Sequence, residues 1–129
     1  MEGEWSENQP IYRQLRDMIV AMIIDGTLSE GDALPSVRQV AAGYRVNPIT
    51  VLKSYQQLVD EELVEKRRGI GMFVMTGARN AALRSERDKF LAEDWPGILE
   101  SIKRLGLSAE QLLERAPTHR LRSKAKGGR

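Results

Sequence analysis

The chain has 129 residues, 41% of them hydrophobic and 29% charged, enough for one domain with a modest core but not for that core plus a roomy ligand cavity. It contains no cysteine and a single histidine, His119, which excludes disulfides, thiolate zinc sites, cysteine nucleophiles and multi-histidine metal centres. No Ser, Asp or Glu cluster has catalytic spacing, so neither an enzyme nor a bound metal or cofactor is expected.

The formal charge of +2 conceals a segregation. Residues 117–129 carry Arg120, Arg122, Lys124, Lys126 and Arg129 and no acid, which leaves 15 of the 20 basic residues against all 18 acids in residues 1–116, a net −3. The isoelectric point near 9.1 is therefore a property of the tail and is no argument for nucleic-acid binding. The opening MEGEWSENQP lacks the basic region of a secretory signal. The longest apolar run, Met18 to Ile24, is far short of the roughly 18 residues that span a bilayer. A cytoplasmic protein without membrane attachment is expected.

Ile11, Leu15, Met18, Ile19, Met22 and Ile23 recur at steps of four and three and form one apolar stripe. Pro10 suits the first turn of this helix and Gly26 its stop. Residues 27–34, with Gly31 and Asp32, read as a connecting loop. Leu34-Pro35-Ser36 then opens a short second helix with Val37, Val40 and Ala41 inward, ending near Gly43. After a tight joint, Asn47-Pro48 is a cap and first residue for a third helix. Its inward stripe is Val51, Tyr55, Leu58 and Val59, which leaves Asn47, Thr50, Lys53 and Ser54 directed elsewhere. A longer helix followed by two short ones across so tight a joint has the outline of a helix-turn-helix.

Residues 63–67 and 72–75 are strand-like and flank Arg68-Gly69-Ile70-Gly71, a glycine-bearing hairpin that would make the module winged. Residues 79–93 and 95–105 read as amphipathic helices broken at Pro96 and stopped at Gly106. Ser108 with Gln111 caps a last short helix. The expected fold class is therefore mainly α: a winged helix-turn-helix over 1–77, three helices plus a two-stranded β-hairpin wing, then a short all-helical region over 78–116. A basic, disordered tail is expected over 117–129.

Several side chains suit duplex DNA. Arg38 can present a guanidinium fork to guanine O6 and N7. Asn47, Pro48, Thr50 and Lys53 occupy the leading end of the third helix, the part that enters a major groove first. Ser36 and Thr50 hydroxyls can hold phosphate, although Ser36 and Asn47 are equally explained as helix caps. Gly69 and Gly71 let the wing approach a minor groove with Arg67 and Arg68 beside it, while any hairpin wants such glycines. Leu83, Phe90, Leu91, Trp95, Ile98, Leu99 and Ile102 form apolar faces that a closed winged module does not need, and a second copy of the chain would bury them. The competing reading is a winged module used for protein assembly, without sequence-specific DNA binding.

The runs Leu34-Pro35-Ser36-Val37-Arg38-Gln39-Val40-Ala41, Val46-Asn47-Pro48-Ile49-Thr50-Val51, Tyr55-Gln56-Gln57-Leu58 and Arg67-Arg68-Gly69-Ile70-Gly71-Met72-Phe73-Val74 resemble the GntR family of bacterial transcription regulators. Pro10-Ile11-Tyr12-Arg13-Gln14-Leu15, followed by only about 50 residues beyond the wing, resembles its YtrA subfamily. The resemblance implies a homodimeric repressor on an inverted-repeat operator of double-stranded DNA, controlling its own operon and a neighbouring transport system. It also implies that Arg38 reads a base, that Ser36, Thr50 and Lys53 contact DNA, and that Gly69 to Gly71 address the minor groove. No motif names a small-molecule effector. The chain departs from the family pattern at Tyr44-Arg45, where Leu-Gly is usual. It departs also at Ile49, a position commonly polar that here suits a thymine methyl, and at Ile70 and Met72, where Lys and Thr are frequent.

Overall fold

A computed structural model of the chain describes residues 5–115. Its elements are α1 (Ile11–Asp25), α2 (Val37–Tyr44), α3 (Pro48–Asp60), β1 (Val64–Arg67), β2 (Gly71–Val74), α4 (Ala78–Lys89), a π-helical turn (Phe90–Asp94), α5 (Trp95–Leu105) and α6 (Ala109–Glu114). They fall into two compact units, Met1–Arg87 and Asp88–Arg129. The basic tail and His119 lie outside the described residues.

In the first unit, α1 follows Pro10 and is closed by Gly26 at φ 92°, a left-handed conformation that costs glycine little. It buries Leu15, Ile19, Val20 and Ile23, with Met18 and Met22 packed at the edge of the core. Ile11, expected on the same stripe, is exposed, and Val20, which the stripe omitted, is buried. The inward face is thus shifted from the simple three-four pattern.

Helix α2 opens with a complete capping box: the Gln39 N–H donates to Ser36 Oγ at 3.0 Å, and the Ser36 N–H donates to Gln39 Oε1 at 3.0 Å. It closes at Arg45, φ 57°, the position where the family pattern has glycine. In α3, Asn47 Oδ1 accepts from the Ile49 N–H at 2.8 Å and Pro48 stands in the first turn. Val51, Ser54, Tyr55 and Leu58 are buried. Ser54 was expected outward. It is instead completely buried, because its hydroxyl donates to the Val51 carbonyl at 2.8 Å and so needs no water or partner element. Tyr55 Oη donates to the Pro35 carbonyl at 2.6 Å, which ties the start of α2 to α3.

Strands β1 and β2 pair antiparallel from Val64↔Val74 to Arg67↔Gly71. The Ile70 N–H donates to the Arg67 carbonyl at 2.9 Å with Gly69 at φ 75°, a turn whose third residue must have positive φ. The loop before α2 does more than connect. Gly31 and Leu34 donate N–H groups to the Val74 and Met72 carbonyls, each at 2.8 Å, and Asp32 accepts from the Val74 N–H at 2.9 Å, so this segment borders β2. Three ladder bonds over four residues around Gly31 and Asp32 leave no strand periodicity for a sequence to display.

The start of α4 belongs to this unit: Ala78 and Ala82 are buried in its core, and Arg79 Nε donates to the Ile24 carbonyl at 2.8 Å. Core burial therefore continues past residue 77, where the hairpin-based reading placed the end of the module. Leu83 is half-buried in the same unit. Arg16 pairs with Asp17 at 2.8 Å, with Glu61, and with Glu86 at 3.6 Å. Burial by itself pulls the Arg16 guanidinium toward deprotonation, but the hydrogen bonds it donates to Glu61 and Asp17, with their charges, outweigh it and hold it above the ordinary arginine range.

In the second unit, a π-helical turn stands where a break at Pro96 was expected. Proline has no N–H for the carbonyl four residues back and its ring crowds that carbonyl. The chain widens by one residue and the Trp95 N–H donates to the Phe90 carbonyl. Helix α5 ends at Gly106, φ 68°, and Ser108 with Gln111 forms the capping box of α6. Among the described residues of this unit none is buried. Phe90, Leu91 and Ile98 are exposed, and Trp95, Leu99 and Ile102 are half-buried.

Candidate nucleic-acid interface

The candidate residues lie on α2, α3 and the β1–β2 hairpin, all in the first unit. Along α3, Val51, Ser54, Tyr55 and Leu58 face the core, so Ile49, Leu52, Lys53 and Gln56 line the opposite face at helical spacing. Thr50 is half-buried between these faces. The stretch from Ala33 to Val59 holds three cations, Arg38, Arg45 and Lys53, and no acid. All three are exposed, and among the described residues none makes an ion pair.

Ser36 and Asn47 are both engaged as N-caps. Asn47 Oδ1 is occupied, whereas Ser36 Oγ accepts its cap bond and keeps its O–H to donate. The Val37 and Arg38 N–H groups at the start of α2 are a weak attraction for anions, while in α3 Pro48 has no N–H and those of Ile49 and Thr50 donate to Asn47. Arg38 stands in the first turn of α2 beside the α3 contact made by Tyr55 and Pro35. Lys53 is held: its ammonium sits 4.2 Å above the centre of the Tyr12 ring, a cation–π contact that orients it without neutralising it.

The wing separates its two arginines. Arg67 donates through Nε and Nη2 to Glu65 Oε2, at 3.1 and 2.8 Å, and lies 4.1 Å over the Phe73 ring. Glu65 precedes it by two residues on the same strand face and Phe73 is Glu65's partner across the ladder, so alternation places all three together. Its charge is locally balanced. Arg68, Gly69, Ile70 and Gly71 form the exposed tip, and Arg68 has no ion-pair partner among the described residues.

Three participants were not singled out from the sequence. Tyr12 is 41 positions from Lys53, a pairing that spacing along the chain cannot reveal. Leu52 was legible, since it lies three residues after Ile49 and off the inward stripe. Arg45 was marked only as a departure from the family pattern, and its left-handed backbone is what makes that departure costly.

Three helices with a capped third helix turned outward and a β-hairpin beside it constitute a winged helix-turn-helix. Residues 11–74 match the family described as bacterial regulatory proteins, gntR family. The chain is 36% identical to YhcF, an uncharacterised HTH-type transcriptional regulator of Bacillus subtilis, over 88% of this chain and 93% of that one. It is 37% identical to the HTH-type transcriptional repressor YtrA of the same organism over 54% of each. Among solved structures it resembles a GntR-family regulator from Bacteroides thetaiotaomicron, with TM-score 0.67, 32% identity and coverage of 81% and 91%. It also resembles the DNA-binding domain of AraR in complex with operator ORX1, with TM-score 0.51, 27% identity and coverage of 57% and 90%. The chain belongs to the GntR family of bacterial transcription regulators.

Among the described residues, no helix is long and apolar enough to cross a membrane.

Proposed function

We propose that the protein is a homodimeric, sequence-specific repressor that binds an inverted-repeat operator, its own operon and a neighbouring transport system being the regulated genes. The observation that carries this is the acid-free stretch from Ala33 to Val59, whose three exposed cations, on α2, its joint to α3 and α3 itself, make no ion pair among the described residues. A polyanion is the partner such a surface favours. The operator complex of AraR and the repressor name of YtrA support the same reading.

In it, α3 enters the major groove leading with Asn47, Pro48 and Thr50. Arg38 reads a base edge, Lys53 and Ser36 meet phosphates, and the tip from Arg68 to Gly71 lies along the minor groove. Arg68 carries the wing's charge to DNA ahead of Arg67, whose guanidinium already has Glu65. Residues 78–116 join two copies through Leu83, Phe90, Leu91, Trp95, Ile98, Leu99 and Ile102, so the two recognition helices address half-sites about 34 to 36 Å apart or a multiple of that. The compartment that fits is the cytoplasm.

Fluorescence anisotropy on the promoter fragment of its own gene, against a scrambled duplex of equal length, tests the proposal. The promoter should bind tighter, and both affinities should fall steeply between 50 and 200 mM salt (roughly the range over which phosphate contacts are screened). Equal affinity for the two fragments would overturn it in favour of an assembly module.

A further inference from the structure

The solvent-facing side of α3 is not the polar surface that a helix in water normally presents. Ile49 is 72% exposed and Leu52 is 50% exposed, and their spacing of three residues makes them neighbours on one face. Isolated exposed apolar residues are ordinary. This pair is different because of its setting: Lys53 follows directly, Arg38 and Arg45 lie on the adjoining element and its joint, and no carboxylate occurs between Ala33 and Val59. A protein partner suited to two aliphatic side chains would not require an acid-free cationic surround. In duplex DNA one hydrocarbon group lies among the polar edges of the major groove, the thymine 5-methyl.

We infer that Ile49 and Leu52 are specificity-determining residues that read thymine methyl groups on neighbouring base pairs of each half-site. The geometry of the helix sets the separation. Three residues advance about 4.5 Å along an α-helix, and successive bases on one strand are about 3.4 Å apart, so two methyls one or two steps apart are within joint reach. Ile49, in the first turn after Pro48, is placed to go deepest; Leu52, one turn later, meets the flanking methyl. Discrimination then has two parts. Arg38 selects through hydrogen bonds, and the aliphatic pair selects through a contact that cytosine, lacking the methyl, does not offer.

This inference rests on the DNA-binding reading, and the experiment separates the two. The full-length protein is used to select its preferred duplex from a random pool. Each thymine of that duplex is then replaced in turn by deoxyuridine, which removes the methyl and leaves the hydrogen-bonding edge unchanged. Two thymines per half-site should each weaken binding about fourfold on replacement, the scale of one methyl-sized group returned to water. In Ile49→Ala one of these positions should become insensitive to replacement, and in Leu52→Ala the other. Lys53→Ala should weaken every duplex alike and leave both sensitivities intact. Both alanine variants replace exposed side chains, and unchanged thermal melting verifies their fold. A selected duplex bound tightly and salt-dependently, but indifferent to every deoxyuridine, would overturn the methyl reading and leave DNA binding standing. Failure to enrich any sequence would remove both.

Discussion

The two units of this chain use apolar residues in opposite ways. In the first, α1, α2, α3, the hairpin and the start of α4 converge on a closed core from Leu15 to Ala82, with Val51, Tyr55, Leu58 and Val64 at 1% exposure or less. In the second, α5 is strongly amphipathic by sequence, yet no described residue of the unit is buried. A helix that segregates its apolar side chains and leaves them at most half-buried has a face suited to another surface. The contrast separates a region whose stability is self-supplied from one whose apolar face awaits a partner, which in the proposed reading is the same face of a second copy.

Substitutions on the two sides should break or sharpen this contrast. The largest effect is expected in the closed core: Leu58→Ala should lower unfolding free energy by about 3 kcal/mol, the usual cost of a core leucine and its residual cavity, measured by urea denaturation. Trp95→Asp in the second unit should leave the fold of the first intact but weaken self-association by about a hundredfold or more, since buried aromatic anchors dominate such interfaces. Sedimentation velocity reads this directly, and an unchanged sedimentation coefficient would remove the face as the dimer contact. Arg38→Ala, with no change in either fold, should cost operator binding about 1 to 3 kcal/mol and relax selectivity at one base pair, seen by anisotropy with single-base operator variants.

Smaller effects test the joint and the core's one buried phenol. Arg45 holds a left-handed conformation that costs a side-chain-bearing residue about 1 to 2 kcal/mol, only part of which glycine's greater chain entropy takes back. Arg45→Gly should therefore raise stability by about 0.5 to 1 kcal/mol in a melting experiment while lowering affinity for DNA, because an exposed cation goes with it. Burial pushes the Tyr55 phenol up to about 12 from its ordinary 10.0. The protonated form is thus favoured by folding: its stabilisation is complete below pH 10 and is lost as the pH climbs through 12. Denaturation midpoints between pH 8 and 12 should show this loss, and Tyr55→Phe should flatten the profile while costing a little at neutral pH for the Pro35 carbonyl left without its donor.

Much of this architecture was readable residue by residue. Pro10 and Gly26 bound α1 through their own backbone preferences, and Ser36 with Gln39 opens α2, Asn47-Pro48 opens α3, and Ser108 with Gln111 opens α6, because each of these last caps is a bond between residues at most three apart. Of the candidate interface, the helix that carries it and the glycine tip of the wing were equally legible. Ser54 was not, since a hydroxyl satisfied by its own helix looks polar in a sequence and behaves as apolar in a core. The state of the cations was not legible either: Lys53 meets Tyr12 from another helix, and Arg67 is balanced by Glu65 only once the strand has set their common face.

By itself the sequence determined where α1, α2, α3 and α6 open, most of the residues that α1 to α3 turn inward, and which family pattern the helix-turn-helix follows, because backbone capping and side-chain periodicity act over a few residues. Only the tertiary structure decided which charges stay available, that residues 31–34 border the wing, that α4 opens inside the first core, and that Ile49 and Leu52 remain uncovered. Those outcomes depend on which distant segments exclude water from one another, and packing of that kind is a property of the assembled chain rather than of any local spacing.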